Sequence, residues 1–600
     1  MEPARRARRP RRDDARGGRA RGGRGVRGPH HGGGRRRRGG ARRPGRGWTY
    51  SLSLRAGGLP RVPGGDARRA GQRRGRCPLG RGRPARRARH DRGAARHGPT
   101  GPGAQGRRPR VKVAIVTKRL EEVAADAVVV GLYAEEKRLP EGLARLDRAA
   151  GGQIKAALEA EKFKAKAGHV THLHALGRRV IVAGLGPRAD TTAEVLRRAA
   201  AAGLRRARDL GARTVAVEVL GDRLPARQRA QAVVEGALLG TYAFERYKKE
   251  KADRVVEELR VVEGDARRGR EVAEGAARGE AFARATWLAR DLINTPAKDL
   301  SPTDLAKAAT DLAKERKLGV TVFDRAECRR MGMGAFLGVA AGSVEPPKFI
   351  HLTYSPAGRS KRKRVALIGK GITFDSGGLD LKSAEGMLRM KYDMAGAAAV
   401  LGVMGALPAL KATVEVHGLI AATENMPSGS AIRPGDVVRA MNGTTIEIGN
   451  TDAEGRLTLA DALSYAAERV KPDEVVDMAT LTGACVVALG PLCAGLMTND
   501  RALARRLLDA AEAAGEHVWE LPLIDEYRDH LKSDVADLNN VGPRGGGAIN
   551  AGLFLKEFAG DMRWAHLDIA GPAFTEKDLT LAPKGATGAA VRTILTYLTG

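Results

Sequence analysis

The alternation of apolar and polar residues predicts an α/β protein from residue 111 to the end of the chain. In the first part, short apolar runs typical of strands alternate with amphipathic stretches typical of helices. The predicted strands are residues 111–116, 127–132, 179–183 and 214–220, and the predicted helices are residues 192–209 and 227–249. This pattern indicates a smaller N-terminal α/β domain at 111–264. An Ala-rich stretch at 265–292 then predicts a long connecting helix, assigned to 265–293, which Asn294-Thr295-Pro296 ends.

The remaining residues, 294–600, predict a larger C-terminal domain. Its predicted strands are residues 320–323, 365–368, 414–421, 475–479 and 566–569. They alternate with helical stretches, which is typical of a central, mostly parallel sheet flanked by helices. The run 365–368 is apolar throughout, as expected of a strand buried on both faces. Open α/β sheets bind ligands at the carboxyl ends of such strands.

Two glycine-rich segments at predicted strand ends carry several charged residues. Lys370 and Asp375 lie in Gly-Lys-Gly-Ile-Thr-Phe-Asp-Ser-Gly-Gly, and we expect them to follow the end of strand 365–368. Asp452, Glu454 and Arg456 lie in Asn-Thr-Asp-Ala-Glu-Gly-Arg-Leu, between a predicted strand at 445–448 and a predicted helix at 457–470. If that turn is extended, Asp452 and Glu454 point to the same side and could share a metal ion.

Lys382 and Asp393 lie between these segments, with Asp393 at the start of a predicted helix at 394–407. Carboxylates suit Mg²⁺, Mn²⁺ or a pair of Zn²⁺ ions, and a lysine can join them only as the neutral amine. Two such ions can lower the pKa of a shared water molecule and bind the attacked carbonyl. Taken singly, each motif is typical of a solvated turn or cap. Their combination at strand ends instead favours a binuclear hydrolase.

The two segments resemble the signatures of the leucyl (cytosol) aminopeptidases, the M17 metallopeptidase family. The resemblance continues in residues 291–296, 390–397, 478–484 and 566–572, and it covers residues 111–600, most closely after 280. It implies a metal-dependent aminopeptidase that removes single N-terminal residues from peptides. It also implies a cytoplasmic homohexamer whose sites face an interior cavity.

By position, the resemblance assigns two divalent metal ions per subunit to five residues: Lys370, Asp375, Asp393, Asp452 and Glu454. In the family, Asp375 and Glu454 would serve both ions. Lys370 and Asp393 would hold the exchangeable ion, and Asp452 would complete the tighter site. Mn²⁺ is the ion expected first, with Zn²⁺, Mg²⁺ and Co²⁺ as alternatives.

The resemblance also assigns catalytic roles to Lys382 and Arg456. A metal-held hydroxide would attack the first peptide carbonyl, and Lys382 would stabilise the oxyanion. Arg456 would hold a bicarbonate that acts as general base. The family positions that line the pocket for the first side chain are Met390, Thr480, Leu481, Thr482, Gly483, Ala570 and Ala573. They are small or uncharged, so we expect a leucine-like residue to be preferred.

The formal net charge of +37 raises the alternative of nucleic-acid binding. Residues 1–110 contain 35 Arg, no Lys and five acidic residues, so most of the excess charge belongs to this leader. Its Arg, Gly and Pro content predicts disorder. It could be a nucleic-acid-binding tail, a transit peptide, or translated upstream sequence outside the natural protein, and coding bias favours the third. A DNA-binding regulatory role, known in this family, and a structural protein with a dead site remain alternatives.

Other sequence features narrow the class of protein further. Cys77, Cys328, Cys485 and Cys493 form no Cys-x-x-Cys pair, which predicts a reducing compartment without a disulfide framework. We find no signal-peptide core and expect no apolar span of 18 residues, hence no secretion and no membrane helix. His-Glu-x-x-His, Gly-x-Ser-x-Gly and Walker motifs are missing, which argues against single-zinc proteases, serine hydrolases and nucleotide hydrolases.

Overall fold

The computed structural model describes residues 111–136, 138–250, 253–358 and 362–600. The predicted leader at 1–110 and Cys77 lie outside the described residues. Within them the predicted fold class is confirmed, because two α/β units, each with its own large sheet, follow one another along the chain. The remaining cysteines, Cys328, Cys485 and Cys493, carry free thiols.

The first sheet has six strands in the described part of the chain. They are β1 (Lys112–Val116), β2 (Ala127–Leu132), β3 (Val170–Ala175), β4 (Arg178–Gly184), β5 (Thr214–Glu218) and β6 (Glu258–Val262). The strand order is β1-β6-β5-β2-β4-β3, and all neighbours are parallel except the hairpin of β3 and β4. His172 and His174 lie on β3 of this hairpin. The sequence did not predict β3 or β6.

In the described residues, the helices between these strands are α1 (Glu141–Ala149), α2 (Gln153–Ala160), α3 (Ala193–Asp209) and α4 (Ala226–Gly240). Helices α1 and α2 were not predicted. The predicted helix at 227–249 is wrong at its end, because α4 ends at Gly240 and Thr241 caps it. A Cβ atom on Gly240 would lie 2.7 Å from the Cβ of Ala201 in α3. The close packing of α3 and α4 therefore requires glycine here, although glycine is a poor helix former.

Helix α5 (Gly269–Asn294) confirms the predicted long connector, although it begins four residues later than expected. Its Val272 and Ala283 belong to the core of the first sheet, whereas Phe282 and Leu292 belong to the core of the second. One helix is therefore shared by both cores. The limits 111–264, 265–293 and 294–600 stay a prediction.

The rest of the chain forms a second, larger sheet, with two small sheets beside it. The strands are β7 (Gly319–Phe323), β8 (Lys348–Tyr354), β9 (Arg364–Asp375), β10 (Glu415–Asn425), β11 (Val437–Arg439), β12 (Thr445–Glu447), β13 (Glu474–Ala479), β14 (Cys493–Thr498), β15 (His517–Glu520), β16 (Leu538–Asn539), β17 (Trp564–Asp568), β18 (Phe574–Thr575) and β19 (Gly585–Ala586). The large sheet has the order β15-β14-β17-β13-β9-β10-β8-β7. Its centre, β17-β13-β9-β10, is parallel, as predicted, while β14, β8 and β7 add antiparallel pairings. The sheet is therefore mixed.

Helices cover both faces of this sheet. They are α6 (Pro302–Arg316), α7 (Arg325–Arg330), α8 (Gly334–Val339), α9 (Ala384–Met387), α10 (Ala395–Leu410), α11 (Glu454–Tyr465), α12 (Gly483–Leu489), α13 (Arg501–Ala514), α14 (Gly547–Ala559) and α15 (Val591–Thr599). One core lies between the sheet and α5, α6, α10, α13 and α15, and the other lies between the sheet and α8, α11 and α14.

One expectation about apolar spans was wrong. Residues Met390–Leu410, which include α10, are long and apolar enough to cross a membrane by length and composition. However, 83% of the apolar 18-residue stretch within this segment is buried inside the protein. Helix α10 packs against the sheet and against α5, so its apolar character is that of a central core helix.

Candidate metal centre

Strand β9 carries the first two candidate ligands. The sequence placed Lys370 and Asp375 beyond the strand end, which is wrong: β9 pairs with β10 as far as Asp375 opposite Asn425, across a register shift at Thr423 and Glu424. The glycines in this segment do not end the strand. A Cβ on Gly369 would lie 2.6 Å from the backbone nitrogen of Ala397 in α10, so they allow close packing on a neighbouring helix.

The acidic residues of the second segment lie where α11 begins. The predicted helix at 457–470 is confirmed but starts earlier, at Glu454, and its last five residues, Ala466–Val470, form a π-helix. The turn before it is not extended, since Ala453 has φ −103° and ψ 39°. Asp452 and Glu454 nevertheless converge, and one oxygen from each lies within 4.8 Å of an oxygen of Asp375. The turn, rather than strand alternation, brings them together.

Lysine ammonium groups lie among these carboxylates. Lys370 Nζ is 2.8 Å from Asp393 Oδ2 and 2.7 Å from Glu454 Oε1, and it donates to the carbonyl of Thr480 at 3.1 Å. Lys382 Nζ is 2.8 Å from Asp375 Oδ2 and pairs with Asp452. Six charged residues thus form one cluster: Lys370, Asp375, Lys382, Asp393, Asp452 and Glu454.

This cluster has a surplus of negative charge, because four carboxylates face two ammonium groups. Lys370, Asp375, Asp393 and Glu454 are buried, and Asp452 is exposed over 34% of its side chain. Glu454 Oε2 is buried and has no hydrogen-bond partner among the described residues. A buried carboxylate oxygen without a donor is costly, so the donor set fits divalent cations that would bind this oxygen.

The electrostatics of the cluster agree with that fit. Burial raises the pKa of Asp393 and Glu454, and neighbouring carboxylates add to the increase while Lys370 opposes it. Burial also raises the pKa of Asp452, with the charge of Asp375 as the next contribution. For Lys370, burial lowers the pKa, but Asp393 and Glu454 outweigh it, and the net shift is upward. Lys370 therefore holds its proton more tightly than a free lysine does, and a metal ion bound by its amine would have to displace that proton.

Arg456 lies in the first turn of α11 and is buried. Its Nη1 donates to the backbone carbonyl of Asn540 at 2.6 Å, while its Nε is buried without a hydrogen-bond partner among the described residues. Burial lowers the pKa of Arg456 to about 10, although Glu454 and Asp568 favour its charged form. The guanidinium therefore keeps an unused donor beside the carboxylate cluster.

The predicted substrate-pocket residues lie beside the cluster on three segments. Thr480 Oγ1 donates to Asp393 Oδ1 at 2.7 Å, and Thr482 Oγ1 donates to Asp568 Oδ2 at 2.7 Å. The backbone nitrogens of Leu481 and Ala570 donate to Asp568 Oδ1 at 3.2 and 3.1 Å. Asp568, which was not predicted, therefore joins two of the pocket segments.

The other pocket residues differ in how open they are. Met390 begins a 3₁₀ helix that leads into Asp393. Gly483 has open space where a side chain would be, whereas Ala573 is fully buried in the core. Gly483 therefore borders an accessible space, whereas Ala573 does not.

Sequence reasoning missed the residues that orient the ligands. Asn425 Nδ2 donates to Asp375 Oδ1 at 2.9 Å and to the carbonyl of Thr451 at 3.1 Å. Asp380 Oδ2 accepts from the backbone nitrogen of Thr451 at 2.7 Å. These contacts tie the two glycine-rich segments together. For Asn425, the available signal was its position shortly after the predicted strand at 414–421.

Comparison with known proteins identifies the family. The sequence profile of the cytosol aminopeptidase family catalytic domain matches residues 287–595, and the profile of the N-terminal domain of that family matches residues 129–251. The chain belongs to the cytosol aminopeptidase family. This M17 aminopeptidase is therefore a peptide-bond hydrolase of a metal-dependent family, as the sequence predicted.

Similar proteins cover nearly the whole described chain. The M17 aminopeptidase is 43% identical over 495 residues to a probable cytosol aminopeptidase of Sulfurihydrogenibium sp. (strain YO3AOP1), covering 81% of this chain and 98% of that one. It is 47% identical over 463 residues to a probable cytosol aminopeptidase of Aquifex aeolicus (strain VF5), covering 76% and 92%.

Two solved structures share the fold of the M17 aminopeptidase. A mutant of tomato leucine aminopeptidase has a TM-score of 0.75 at 37% identity, covering 82% of this chain and 97% of that one. The bottromycin maturation enzyme BotP in complex with Mn has a TM-score of 0.71 at 40% identity, covering 79% and 99%. The two-domain architecture is thus that of leucine aminopeptidases.

Proposed function

We propose that this chain is a two-metal aminopeptidase that hydrolyses the first peptide bond of peptides with a free N-terminus and prefers leucine-like residues. The observation that carries the proposal is the convergence of Asp375, Asp452 and Glu454 within 4.8 Å, next to Lys370 and Lys382. Lys370, Asp375, Asp393, Asp452 and Glu454 would bind two divalent ions. Mn²⁺ is the first choice, supported by the Mn complex of BotP, with Zn²⁺ and Mg²⁺ as alternatives.

Bound there, the two ions would lower the pKa of a water molecule and polarise the substrate carbonyl. The residues of the chain supply the rest. Lys382, whose side chain is 16% exposed, pairs with Asp452, the most exposed carboxylate of the cluster. There it would donate to the carbonyl oxygen as negative charge develops on it.

Arg456 would position the group that accepts the proton of the attacking water. Its buried Nε and remaining guanidinium donors match a planar oxyanion, and bicarbonate is the anion proposed here. The pocket formed by the seven residues named above would bind the first side chain of the peptide, since Thr480, Leu481 and Thr482 bring no charge to it.

The proposal is tested with the full chain after its metal has been stripped. Hydrolysis of leucine, glutamate and lysine anilides is measured while Mn²⁺, Zn²⁺ or Mg²⁺ is added. We expect activity only with metal, fastest with the leucine anilide, and abolished by Asp452→Asn. Asp436→Asn, at an acidic residue paired with Arg433 on the surface, is the control and should remain active.

Three outcomes would contradict parts of the proposal. A folded chain that hydrolyses none of the anilides with any metal would remove the two-metal mechanism. Faster hydrolysis of the glutamate or lysine anilide would remove only the leucine preference. Activity that is unchanged when bicarbonate is removed and restored would remove the role given to bicarbonate.

We also propose that the protein is a cytoplasmic homohexamer. The names of its relatives support the location, and the family resemblance supports the assembly. Light scattering during gel filtration should give six times the chain mass of 63.7 kDa. A monomer mass at working concentration would contradict the assembly, and fractionation of cells expressing the full chain would test the location.

Nucleic-acid binding is a second candidate, favoured by the 35 Arg residues in positions 1–110. If the leader carries this function, the full chain should bind duplex DNA with an affinity that falls steeply as the salt concentration rises. A chain of residues 111–600 should then not bind DNA. Binding that survives this deletion would instead place the nucleic-acid site in residues 111–600.

A further inference from the structure

Asn540 lies under the turn that carries two of the candidate metal ligands. It directly follows β16 and its side chain is fully buried. Its backbone nitrogen donates to the carbonyl of Glu447 at the end of β12, at 2.9 Å. The residue therefore enters the space between β12 and α11, below the turn at 448–453.

The side-chain amide of Asn540 binds this turn at four points. Its Oδ1 accepts from the backbone nitrogens of Gly449 at 2.8 Å and Asn450 at 3.2 Å. Its Nδ2 donates to the carbonyl of Asn450 at 2.8 Å and to that of Ala453 at 3.5 Å. An amide offers two acceptor positions and two donors, so all of its capacity is used on one turn.

The backbone of Asn540 makes a further contact with the cluster. Its carbonyl accepts from Arg456 Nη1 at 2.6 Å. Asn540 thus contacts Asn450 before Asp452 and Ala453 between Asp452 and Glu454. It also orients the guanidinium of Arg456, the candidate anion-binding group. No site residue inferred from the sequence has this position.

We propose that Asn540 is a positioning residue that holds Asp452, Glu454 and Arg456 in the geometry needed for metal binding and catalysis. The proposal rests on the proposed two-metal function of the cluster. Converging carboxylates repel one another, and an irregular turn has few internal hydrogen bonds to resist that repulsion. The amide of Asn540 adds a restraint at 449–453 to those that Asn425 and Asp380 provide at Thr451, as residues that support metal ligands do.

Asn539 provides a matched control at the neighbouring position. Its Oδ1 accepts from the backbone nitrogen of Val541 at 3.0 Å, and its Nδ2 donates to Glu447 Oε2 at 3.2 Å. Among the described residues, its side chain makes no hydrogen bond to the turn at 449–453. Truncating it removes the same chemical group without releasing the metal-ligand turn.

The experiment compares Asn540→Ala with Asn539→Ala in the full chain. Mn²⁺ affinity is measured by the paramagnetic resonance signal of free Mn²⁺, and kcat and KM for leucine anilide are measured at saturating Mn²⁺. We expect Asn540→Ala to bind Mn²⁺ 10- to 100-fold more weakly and to lose kcat more than it changes KM. Asn539→Ala should match the wild type in Mn²⁺ affinity.

If Asn540→Ala does not fold, Asn540→Asp replaces it, because it keeps the shape but loses the donations to Asn450 and Ala453. Wild-type Mn²⁺ affinity in a folded Asn540 variant, or an equal loss in Asn539→Ala, would overturn the proposal. Failure of the proposed function would appear differently, as missing Mn²⁺-dependent hydrolysis in the wild-type chain. The Mn²⁺ affinities test Asn540 in either case.

Discussion

Lys370 passes so close to Gly455 that a Cβ atom on Gly455 would lie 2.6 Å from Lys370 Nζ and 2.7 Å from its Cε. The ammonium group reaches Glu454 and Asp393 only because the first turn of α11 has no side chain at this position. The glycine of the Asp-x-Glu-Gly-Arg segment is thus part of the candidate metal centre through the space that it leaves open.

Gly455→Ala should therefore weaken metal binding by about 10- to 100-fold, because Lys370 must leave its position between Asp393 and Glu454. Alanine is the better helix former, so helix propensity cannot explain such a loss. Mn²⁺ titration of the metal-stripped chain provides the measurement. Gly429→Ala is the control, since no atom lies within 4 Å of its added Cβ. Equal affinities of the two variants would contradict this account.

Lys382→Met should lower kcat for leucine anilide by about 10²- to 10³-fold with a smaller change in KM, because it removes a charged donor aimed at the developing oxyanion. Methionine keeps the length of the side chain, and the variant should fold. Lys307→Met removes a surface lysine paired with Asp311 on α6 and should keep wild-type kinetics. A Lys382→Met variant with unchanged kcat would exclude the oxyanion role.

Arg592→Met should destabilise the fold by about 3 kcal/mol, the low end of the range for breaking a buried ion pair. Arg592 Nη1 lies 3.1 Å from Glu235 Oε1, and Glu235 is completely buried. The pair joins α15 to α4, and Arg197 still contacts Glu235 at 3.0 Å in the variant. Denaturant unfolding measures the loss. Arg433→Met, which breaks an exposed pair, should cost less than about 1 kcal/mol.

The wild type should lose stability as the pH falls from about 6.5 to 4, in part through His351. Burial, and then the charge of His417, lower the pKa of His351 to about 4 in the folded protein. The unfolded chain binds this proton near pH 6.5 while the folded chain does not, so acid favours unfolding. Its neighbours are His417 at 2.8 Å and Tyr465 at 3.1 Å, and Glu415 lies beyond His417.

His351→Gln should remove about 2–3 kcal/mol of the stability difference between pH 7.5 and 4.5. Denaturant unfolding at both pH values measures the difference. His174→Gln, at an exposed position on β3, should keep the wild-type pH dependence. If His351→Gln also keeps it, the acid sensitivity lies elsewhere.

The local elements of this protein were largely readable because their signals are local. Apolar runs and helical periodicity depend on residues close in sequence, so the strands β9, β10, β13 and β17 and helix α10 followed from the pattern. The prediction was weaker where tertiary packing overrides local preference. The glycines of β9 suggested a loop, yet pairing with β10 keeps them in the strand, and helix α4 ends where it packs against α3.

The sequence by itself determined the chemistry of the candidate centre, because residue types and their spacing define which ligands the chain offers. Only the tertiary structure decided how they meet. Asp375 and Glu454 are far apart along the chain, and their approach depends on the order of strands in the sheet and on the turn before α11. The supporting residues Asn425, Asp568 and Asn540 became visible only there, because a hydrogen bond between distant segments leaves no local pattern.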